Sequence, residues 1–322
     1  MHRLKHKITV GITMGDPAGI GPAITMKAIN KLKGLADFVV IGDKWVFSRV
    51  LGVRCQVSGV KFIDLNNVAH KNFKFGKVKA EYGRASVEYL DKALELVKNN
   101  QIDCLVTCPV SKEAINLAEF DNFSGHTEYL AARTNIKYFA MMLLNKKFKI
   151  SLVTRHIPLK DVSSRLNPDK IYQTILLTYR SLKELFLIKN PRIAVCGLNP
   201  HASDNGLFGG EENKIIRPAL MRLKEIIRNV DGPLPADIAV LKTAQKKYDC
   251  VIAMYHDQAL IPLKISGAYT GVNLTLGLRF IRTSPLHGTA FDIAGKFNLA
   301  NPTSLIEAIR LAVRCTLNQK KD

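Results

Sequence analysis

Long apolar runs are missing from this sequence. The apolar stretches of the 322-residue chain are short and are interrupted by Gly, Pro or charged residues, whereas a helix that spans a bilayer needs about 20 consecutive apolar residues. The first residues, Met1 to Lys7, lead directly into a strand-like ITVGIT segment. They lack the apolar core and small-residue cleavage site of a signal peptide. We therefore expect a protein without membrane helices, located in the cytoplasm.

Cysteine is also scarce. The six cysteines, at positions 55, 104, 108, 196, 250 and 315, mostly lie inside apolar runs, as reduced and buried thiols do. Cys104 and Cys108 have no second cysteine pair with the spacing of a zinc knuckle. The sequence therefore argues against a structural zinc site and favours a reducing compartment.

Acidic residues are few beside basic ones. The chain has 27 Asp and Glu against 47 Lys and Arg, which leaves a net charge of +20. Such a charge can favour nucleic acid, a membrane surface or anionic metabolites. However, the basic residues form short scattered groups, and the aromatic residues, 7% of the chain, mostly lie in apolar context. A nucleic-acid-binding surface would interleave aromatic side chains with positive charge, so we interpret the lysines as a solvated surface.

Both familiar nucleotide-binding fingerprints are absent. The segment GDPAGIGP follows the first predicted strand, but it is neither the Rossmann G-x-G-x-x-G motif nor a P-loop. Gly15, Gly19 and Gly21 let the backbone approach a neighbour closely, as in a loop that cradles an anion. If a dinucleotide binds, another segment must hold it.

Short runs rich in Val, Ile and Leu are present, and they predict buried strands. These runs cover residues 8–13, 37–41, 103–107, 149–154, 192–197 and 249–254. Continuous apolar character predicts parallel strands covered on both faces. Apolar residues at helical spacing predict helices over 85–98 and after Asn167-Pro168, a cap followed by proline at the first helical position. The alternation predicts an α/β architecture, and the length favours two domains.

Three of the predicted strands are followed by histidine. KISLVTRH ends at His156, RIAVCGLNPH at His201 and YDCVIAMYH at His256. Open parallel sheets place ligands beyond the carboxyl ends of their strands. Three imidazoles with one open position would make a catalytic divalent-metal site, whereas a single histidine is more often a hydrogen-bonded structural residue. Asp204 and Asp257 follow two of the histidines and can orient them.

Other polar residues form candidate anion contacts. Lys264, Asn273, Arg279 and Arg282 surround the run GVNLTLGLRFIRTS and offer cationic and amide donors to a phosphate or carboxylate. The alternative interpretation is an exposed basic loop. His126 and Thr127 in SGHTEYL lie where a helix is expected to begin, as caps or as substrate contacts.

Taken together, these motifs resemble one family, the 4-hydroxythreonine-4-phosphate dehydrogenases of vitamin B6 synthesis. The resemblance covers nearly the whole chain and rests on eight ordered segments: GITMGDPAGIGP, LVTCPVSKEAI, SGHTEYLA, TRHIPLKDV, GLNPHASDNGLFGGEE, YHDQALIPLK, GVNLTLGL and IRTSPLHGTAFDIAGK. It implies metal ligands at His156, His201 and His256. It also implies substrate binding by His126, Thr127, Lys264, Asn273 and Arg282, and an acidic residue near the site at Asp237.

The resemblance further implies a fold similar to isocitrate and isopropylmalate dehydrogenases. This is a non-Rossmann fold of two α/β/α domains with a cleft between them, assembled as a homodimer whose partner completes each metal site. Residues 1–130 with 275–322 would form the first domain, with the cofactor loop, and residues 131–274 the second, with the metal histidines.

The segment HGTAFDIAGK is similar to the cofactor loop of those dehydrogenases. The similarity implies NAD or NADP contacts at His287, Gly288, Thr289, Asp292 and Gly295. Three positions depart from the family pattern: Ala23 stands where Glu is usual, and Phe297 and Asn298 replace small residues. The latter change bears on adenosine packing and on the choice between NAD and NADP.

The implied reaction is NAD(P)-dependent oxidation of 4-phosphohydroxy-L-threonine on the route to pyridoxal 5'-phosphate. The 3-keto acid formed would decarboxylate to 3-amino-2-oxopropyl phosphate, with the help of one divalent metal ion, Zn, Mg or Co. Lys264, Asp237 or a water molecule is the candidate acid or base. The alternative is a dehydrogenase of the same family that acts on D-threonate or D-erythronate 4-phosphate.

Overall fold

The computed structural model describes residues 7–51, 60–120 and 123–320, so Cys55 lies outside the described residues. The strands in this part are β1 (Thr9–Thr13), β2 (Asp37–Gly42), β3 (Val60–Asp64), β4 (Cys104–Thr107), β5 (Ala140–Leu144), β6 (Lys149–Leu152), β7 (Ile193–Cys196), β8 (Val230–Leu234), β9 (Cys250–Ala253), β10 (Val272–Leu276) and β11 (Ile281–Pro285). The α-helices are α1 (Gly21–Lys31), α2 (Lys44–Leu51), α3 (Ala80–Lys98), α4 (Lys112–Leu117), α5 (His126–Arg133), α6 (Val162–Arg165), α7 (Pro168–Glu184), α8 (Arg217–Leu223), α9 (Ala236–Ala244), α10 (His256–Gly267) and α11 (Thr303–Gln319).

The contact pattern divides the chain into two compact units. Unit 1 consists of Met1–Asn135 and Leu278–Asp322, and unit 2 consists of Ile136–Gly277. Strands alternate with helices in both units, which confirms the predicted α/β class. The cleft and the likeness to isocitrate dehydrogenase stay predictions. Within the described ranges, every helix is too short or too polar to span a membrane.

Unit 1 is built on parallel strands in the order β3-β2-β1-β4-β11. The strands β1 and β2 are buried along almost their whole length, as expected for parallel strands with helices on both faces. The predicted helix over 85–98 begins earlier, at Ala80, and buries Leu90 at the centre of its apolar face. The interior of this unit is therefore organised around β1.

Unit 2 has the strand order β10-β5-β6-β9-β7-β8. The pairs β10-β5 and β5-β6 are antiparallel, and the remaining pairs are parallel. The parallel arrangement was predicted for β6, β7 and β9; it is confirmed for the pairs β6-β9 and β7-β9, whereas the other neighbour of β6 is the antiparallel strand β5. Helix α7 begins as predicted: the Asn167 side chain accepts a hydrogen bond from the Lys170 N–H, and Pro168 is the first helical residue.

Five described cysteines, Cys104, Cys108, Cys196, Cys250 and Cys315, are free and buried. Burial raises the pKa of each of these thiols to about 12. A thiol with such a pKa stays protonated near neutrality and is a poor nucleophile. These cysteines are therefore core residues, as their apolar sequence context predicts.

Candidate functional site

The three predicted metal ligands follow neighbouring strands of unit 2. The strands β6, β9 and β7 are adjacent and parallel, so their carboxyl ends lie at one edge of the sheet. His156 follows β6, His201 follows β7, and His256 is the first residue of α10, which follows β9. The sheet topology thus places all three histidines at the edge where α/β proteins bind ligands.

Two of these histidines lie close together. The ring centroids of His156 and His256 are 5.6 Å apart, and the ring planes are inclined by 49°. The His256 Nδ1 atom is 2.7 Å from the Asp257 carboxylate. When Nδ1 donates to this carboxylate, the Nε2 lone pair is left for an external ligand. The pair therefore has the donor chemistry of a partial metal site.

His201 lies in an unusual backbone segment. From His201 to Asn205, five consecutive residues other than glycine have positive φ angles of 53°, 53°, 68°, 44° and 58°. This conformation costs roughly 1–2 kcal/mol per residue, and such strain concentrates at functional sites. The His201 ring faces Phe208, with 6.2 Å between the ring centroids.

The single chain does not gather the three histidines. Among residues 7–51, 60–120 and 123–320, no group of three or more His, Cys, Asp and Glu is arranged to hold a metal ion. The structure therefore brings His156 and His256 together and leaves His201 apart from them. Asp204, the second predicted orienting carboxylate, lies in the same left-handed segment as His201 and is exposed.

The remaining predicted residues of unit 2 occupy different settings. Asn273 lies on β10, and its buried Oδ1 atom has no hydrogen-bond partner among the described residues. Lys264 lies in the last turn of α10 and is exposed. Asp237 lies in the first turn of α9, and its charge raises the pKa of Cys196 at the end of β7. Asp237 is thus near the strand that precedes His201.

In unit 1, a buried cation lies among hydroxyl groups. Arg282 on β11 is only 1% exposed. Its Nε and Nη2 atoms donate to the Thr107 hydroxyl at 3.2 and 2.5 Å, and Nη1 donates to the Thr127 hydroxyl at 3.2 Å. Burial lowers the pKa of the Arg282 guanidinium to about 9, although the charge of Glu128 opposes the shift. A positive charge in this setting is a strong site for an anion.

His126 belongs to the same cluster. It is the first residue of α5, and its ring donates to the Cys108 carbonyl. Burial and the neighbouring Arg282 charge hold the pKa of His126 well below its usual 6.5, so the imidazole is neutral at pH 7. Its buried Nε2 atom has no hydrogen-bond partner among the described residues. We call Arg282, Thr107, Thr127 and His126 the arginine pocket.

Thr107 was missed by the sequence interpretation. A threonine that ends a buried apolar strand carries no distinctive pattern, because strands commonly contain threonine. The useful signal is its position at the carboxyl end of β4, a parallel strand. Arg279, which was named with Arg282, is not among the arginine pocket residues.

The predicted cofactor loop packs against the GDPAGIGP segment of unit 1. The Ile20 N–H donates to the Thr289 carbonyl at 3.0 Å. A Cβ atom on Gly19 would lie 3.1 Å from the same carbonyl oxygen, and one on Gly21 would lie 2.0 Å from the Met14 carbonyl oxygen. Glycine is therefore required for the close backbone approach. Asp292, another predicted contact, is exposed.

The residues after the cofactor loop are fixed by one lysine. Lys27 Nζ donates to the carbonyls of Phe297 and Ala300 at 2.6 and 2.8 Å. The Phe297 ring packs edge-on against Phe75, with centroids 5.1 Å apart. The larger residue at position 297 thus has a packing partner of its own, and the departure at Ala23 is accommodated as a buried residue of α1.

Comparisons with known proteins cover nearly the entire chain. The model of the family described as Pyridoxal phosphate biosynthetic protein PdxA matches residues 34–312. A 4-hydroxythreonine-4-phosphate dehydrogenase from a Sulfurihydrogenibium species is 44% identical over 95% of this chain and 98% of the relative. A D-threonate 4-phosphate dehydrogenase from Cupriavidus necator is 41% identical over 94% of this chain and 95% of its own length.

A solved structure is similar in fold as well. The crystal structure of a 4-hydroxythreonine-4-phosphate dehydrogenase from Klebsiella pneumoniae has a TM-score of 0.84 to this chain at 37% identity. The match covers 98% of this chain and 99% of the other.

Proposed function

Because the chain belongs to the family of the pyridoxal phosphate biosynthetic protein PdxA, we propose that it is a dehydrogenase that oxidises 4-phosphohydroxy-L-threonine with NAD or NADP. The observation that carries the proposal is the arginine pocket. Its buried guanidinium and two hydroxyls offer donors to a phosphate or carboxylate group, whereas the neutral His126 ring, whose N–H goes to the Cys108 carbonyl, offers Nε2 as an acceptor to a substrate hydroxyl. The two named relatives both act, by name, on a 4-phosphate.

The proposed reaction has two stages. Oxidation of the C3 hydroxyl transfers a hydride to the nicotinamide and a proton to a base, which leaves a 3-keto acid. Loss of the C1 carboxylate as carbon dioxide then leaves an enolate, and protonation at C2 gives 3-amino-2-oxopropyl phosphate. We assign anion binding to Arg282, further substrate contacts to Lys264 and Asn273, and proton transfer to Lys264 or Asp237.

We further propose that His156, His201 and His256 hold a divalent metal ion. His156 and His256 fit such an ion, because their rings are close and Asp257 orients one of them. A bound ion would act as a Lewis acid on the substrate oxygen. Imidazole ligands favour Zn²⁺ or Co²⁺ over Mg²⁺.

A homodimer would complete this site. Helix α10 begins at His256 and exposes Ile261, Ile265 and, just beyond its end, Tyr269, whose exposed fractions are 59%, 83% and 69%. Exposed apolar residues at this spacing share one helix face. We propose that a second copy of the chain covers the face and brings a further ligand to the histidine pair.

The second candidate is a D-threonate or D-erythronate 4-phosphate dehydrogenase. The Cupriavidus necator relative favours it, since its identity to this chain is nearly that of the Sulfurihydrogenibium relative. 4-Phosphohydroxy-L-threonine and these sugar-acid phosphates all carry a phosphate, so the arginine pocket is suited to bind either class. The two classes differ at C2, which bears an amino group in phosphohydroxythreonine and a hydroxyl group in the sugar-acid phosphates.

The deciding experiment is NADH or NADPH formation by the protein reconstituted with Zn²⁺ or Co²⁺. 4-Phosphohydroxy-L-threonine, D-threonate 4-phosphate and D-erythronate 4-phosphate are compared by kcat/KM. We expect the phosphohydroxythreonine to be preferred at least tenfold, which corresponds to about 1.4 kcal/mol. A higher kcat/KM for a sugar-acid phosphate would support the second candidate function, and no turnover of any of the three compounds would overturn both candidate functions.

A further inference from the structure

A second cation approaches the arginine pocket from helix α4. Lys112 is the first residue of α4 and is exposed. Its Nζ atom lies 3.9 Å from the position that a Cβ atom would occupy on Gly125, the residue before His126. Arg282 reaches the residue after His126, because its Nη1 atom donates to the Thr127 hydroxyl. The two cations therefore approach the chain on either side of His126.

Both positive charges act on the His126 ring. Burial lowers the pKa of His126 most, followed by the charge of Arg282 and, more weakly, the charge of Lys112. The Glu128 Oε2 atom lies 3.0 Å from the Cβ position on Gly125 but forms no ion pair with Lys112. In the described part of the chain, Lys112 has no hydrogen-bond or ion-pair partner. Its ammonium group is therefore available to a ligand.

Packing within unit 1 fixes the helix that carries Lys112. A Cβ atom on Gly83 of α3 would lie 2.0 Å from the Ala114 carbonyl oxygen, so α3 and α4 are in backbone contact. Ile115 of α4 and Phe123, just before α5, belong to one buried apolar cluster. Close packing of this kind resists relative movement of the elements. Lys112 thus projects from a base that is held against the segment leading into the arginine pocket.

The proposed substrate carries an anion at each end, a carboxylate at C1 and a phosphate at C4. The planar guanidinium of Arg282 suits the phosphate, whereas an ammonium group is a point charge that can pair with a carboxylate. We propose that Lys112 binds the substrate carboxylate while the arginine pocket binds the phosphate. The inference rests on the proposed function, because it needs a substrate with both groups. Lys112 is a binding residue in this scheme, since the carboxylate that it holds is later released as carbon dioxide.

The test compares two ligands by isothermal titration calorimetry. They are 4-phosphohydroxy-L-threonine and its C1 carboxamide, which has nearly the same shape but no charge at C1. The protein is reconstituted with Zn²⁺ and measured without nicotinamide cofactor, so that no turnover occurs. We expect wild type to bind the carboxylate compound about tenfold more tightly, as for a hydrogen bond between charged groups. Lys112→Met should bind both compounds equally, and Lys112→Arg should keep most of the preference.

Turnover gives a second measurement for Lys112→Met. Its KM for 4-phosphohydroxy-L-threonine should rise about tenfold while kcat changes little, because the contact is present before the reaction begins. Protection of the folded state by inorganic phosphate should equal that of wild type, because phosphate alone binds the arginine pocket. Weaker protection by phosphate in this variant would place Lys112 at the phosphate and overturn the carboxylate assignment.

Lys98→Met is the matched control for the lost charge. Lys98 is exposed in the last turn of α3, about 22 Å along that helix from Gly83, which contacts α4. This variant should keep the wild-type preference for the carboxylate compound. A preference that persists in Lys112→Met, or is absent from wild type, would overturn the role of Lys112 alone. If wild type binds neither compound, the proposed substrate has failed and the role of Lys112 with it.

Discussion

The arginine pocket in unit 1 differs from the histidine edge in unit 2, by which we mean His156, His201 and His256 after the carboxyl ends of β6, β7 and β9. In the arginine pocket, Arg282 and Thr127 are buried, and their hydrogen bonds are already formed within one chain. At the histidine edge, His156 and His201 are exposed, and the three histidines are not gathered. One site is preorganised, and the other has its residues at one sheet edge without a complete set of ligands.

This difference agrees with what each site is proposed to bind. A buried anion site must hold its donors in place before the ligand arrives, because reorganising desolvated groups is costly. A metal ion contributes its own binding free energy, which can pull ligands together. The arginine pocket should therefore lose function through changes in charge and shape, and the histidine edge through loss of ligands or of the partner.

Loss of a metal ligand should produce the largest effect. We expect His256→Ala to lower kcat/KM at least roughly 10³-fold, because the substrate oxygen would lose several kcal/mol of electrostatic stabilisation. The unfolding free energy should change little, since the His256 side chain is 40% exposed. Turnover measured with added Zn²⁺ or Co²⁺, together with thermal unfolding, checks both statements.

His70→Ala is the control for this variant. His70 stacks on Trp45 in unit 1, with ring centroids 4.2 Å apart, and is not part of either site. It should retain wild-type turnover. Full activity of His256→Ala, or of wild type dialysed against a chelator, would contradict the role assigned to the histidine edge.

Replacement of the buried arginine should have the next largest effect. Arg282→Met keeps the apolar part of the side chain but removes the charge, so we expect kcat/KM to fall about 10²–10³-fold, as for other lost charged hydrogen bonds. Arg282→Lys keeps the charge but loses the bidentate donor geometry of the guanidinium, so we expect a smaller decrease in kcat/KM for this variant.

Phosphate-induced protection of the substrate-free protein provides a second measurement. Inorganic phosphate should raise the unfolding temperature of wild type through binding to the folded state. It should do so weakly for Arg282→Lys and not at all for Arg282→Met. Equal protection of all three proteins would place the phosphate elsewhere and remove the main support for a preorganised pocket.

The sequence predicted the regular parts of this fold better than the site geometry. The six predicted strands are all present, but five described strands were missed, among them β5, AMMLL, although it is also a continuous apolar run. The missed strand β11, IRTSP, contains arginine, threonine and serine, and β8, VDGPL, contains glycine and proline. Polar strand residues escape a hydrophobicity pattern, and the burial of Arg282 depends on the Thr107 and Thr127 hydroxyls that accept its hydrogen bonds.

Motifs identified the candidate residues but not their distances. No local pattern in HASDN predicts five consecutive left-handed residues, since these lack the glycine that usually marks such a conformation. Nor could the sequence reveal that Gln258 connects β9 to β7, because this contact joins residues far apart in the chain. Long-range hydrogen bonds depend on tertiary packing.

Disruption of the apolar face of α10 tests why the histidine edge is incomplete. Ile265→Glu places a charge on a side chain that is 83% exposed in the single chain. If a second copy covers it, the charge would be buried on assembly, which is unfavourable. We expect the variant to be a monomer by analytical ultracentrifugation, with turnover reduced about tenfold or more and an unchanged circular dichroism spectrum. A loss of about 1.4 kcal/mol in the free energy of association already weakens dimerisation tenfold.

Ile226→Glu provides the comparison, because Ile226 is 54% exposed and lies outside α10. This variant should keep the wild-type assembly and activity. A wild-type protein that is already monomeric and fully active would show that each chain completes its own histidine edge.

The smallest expected effect concerns the stability of the GDPAGIGP segment in unit 1. Asp16 is buried; its Oδ1 accepts from the Ala18 N–H at 2.9 Å, and its Oδ2 has no hydrogen-bond partner among the described residues. Burial raises the pKa of Asp16 from 3.8 to about 7. The folded protein therefore holds this proton more tightly than the unfolded chain. Its stabilising contribution is complete below pH 3.8 and is lost as the pH rises through about 7.

Asp16→Asn removes this titration while keeping the acceptor for Ala18. The unfolding free energy of wild type minus that of the variant should fall between pH 4 and pH 8, by something on the order of 1 to 4 kcal/mol. Urea unfolding of both proteins across this range measures the difference. A difference that does not vary with pH would mean that water reaches Asp16, and that the interior of unit 1 is less closed around this segment than around the arginine pocket.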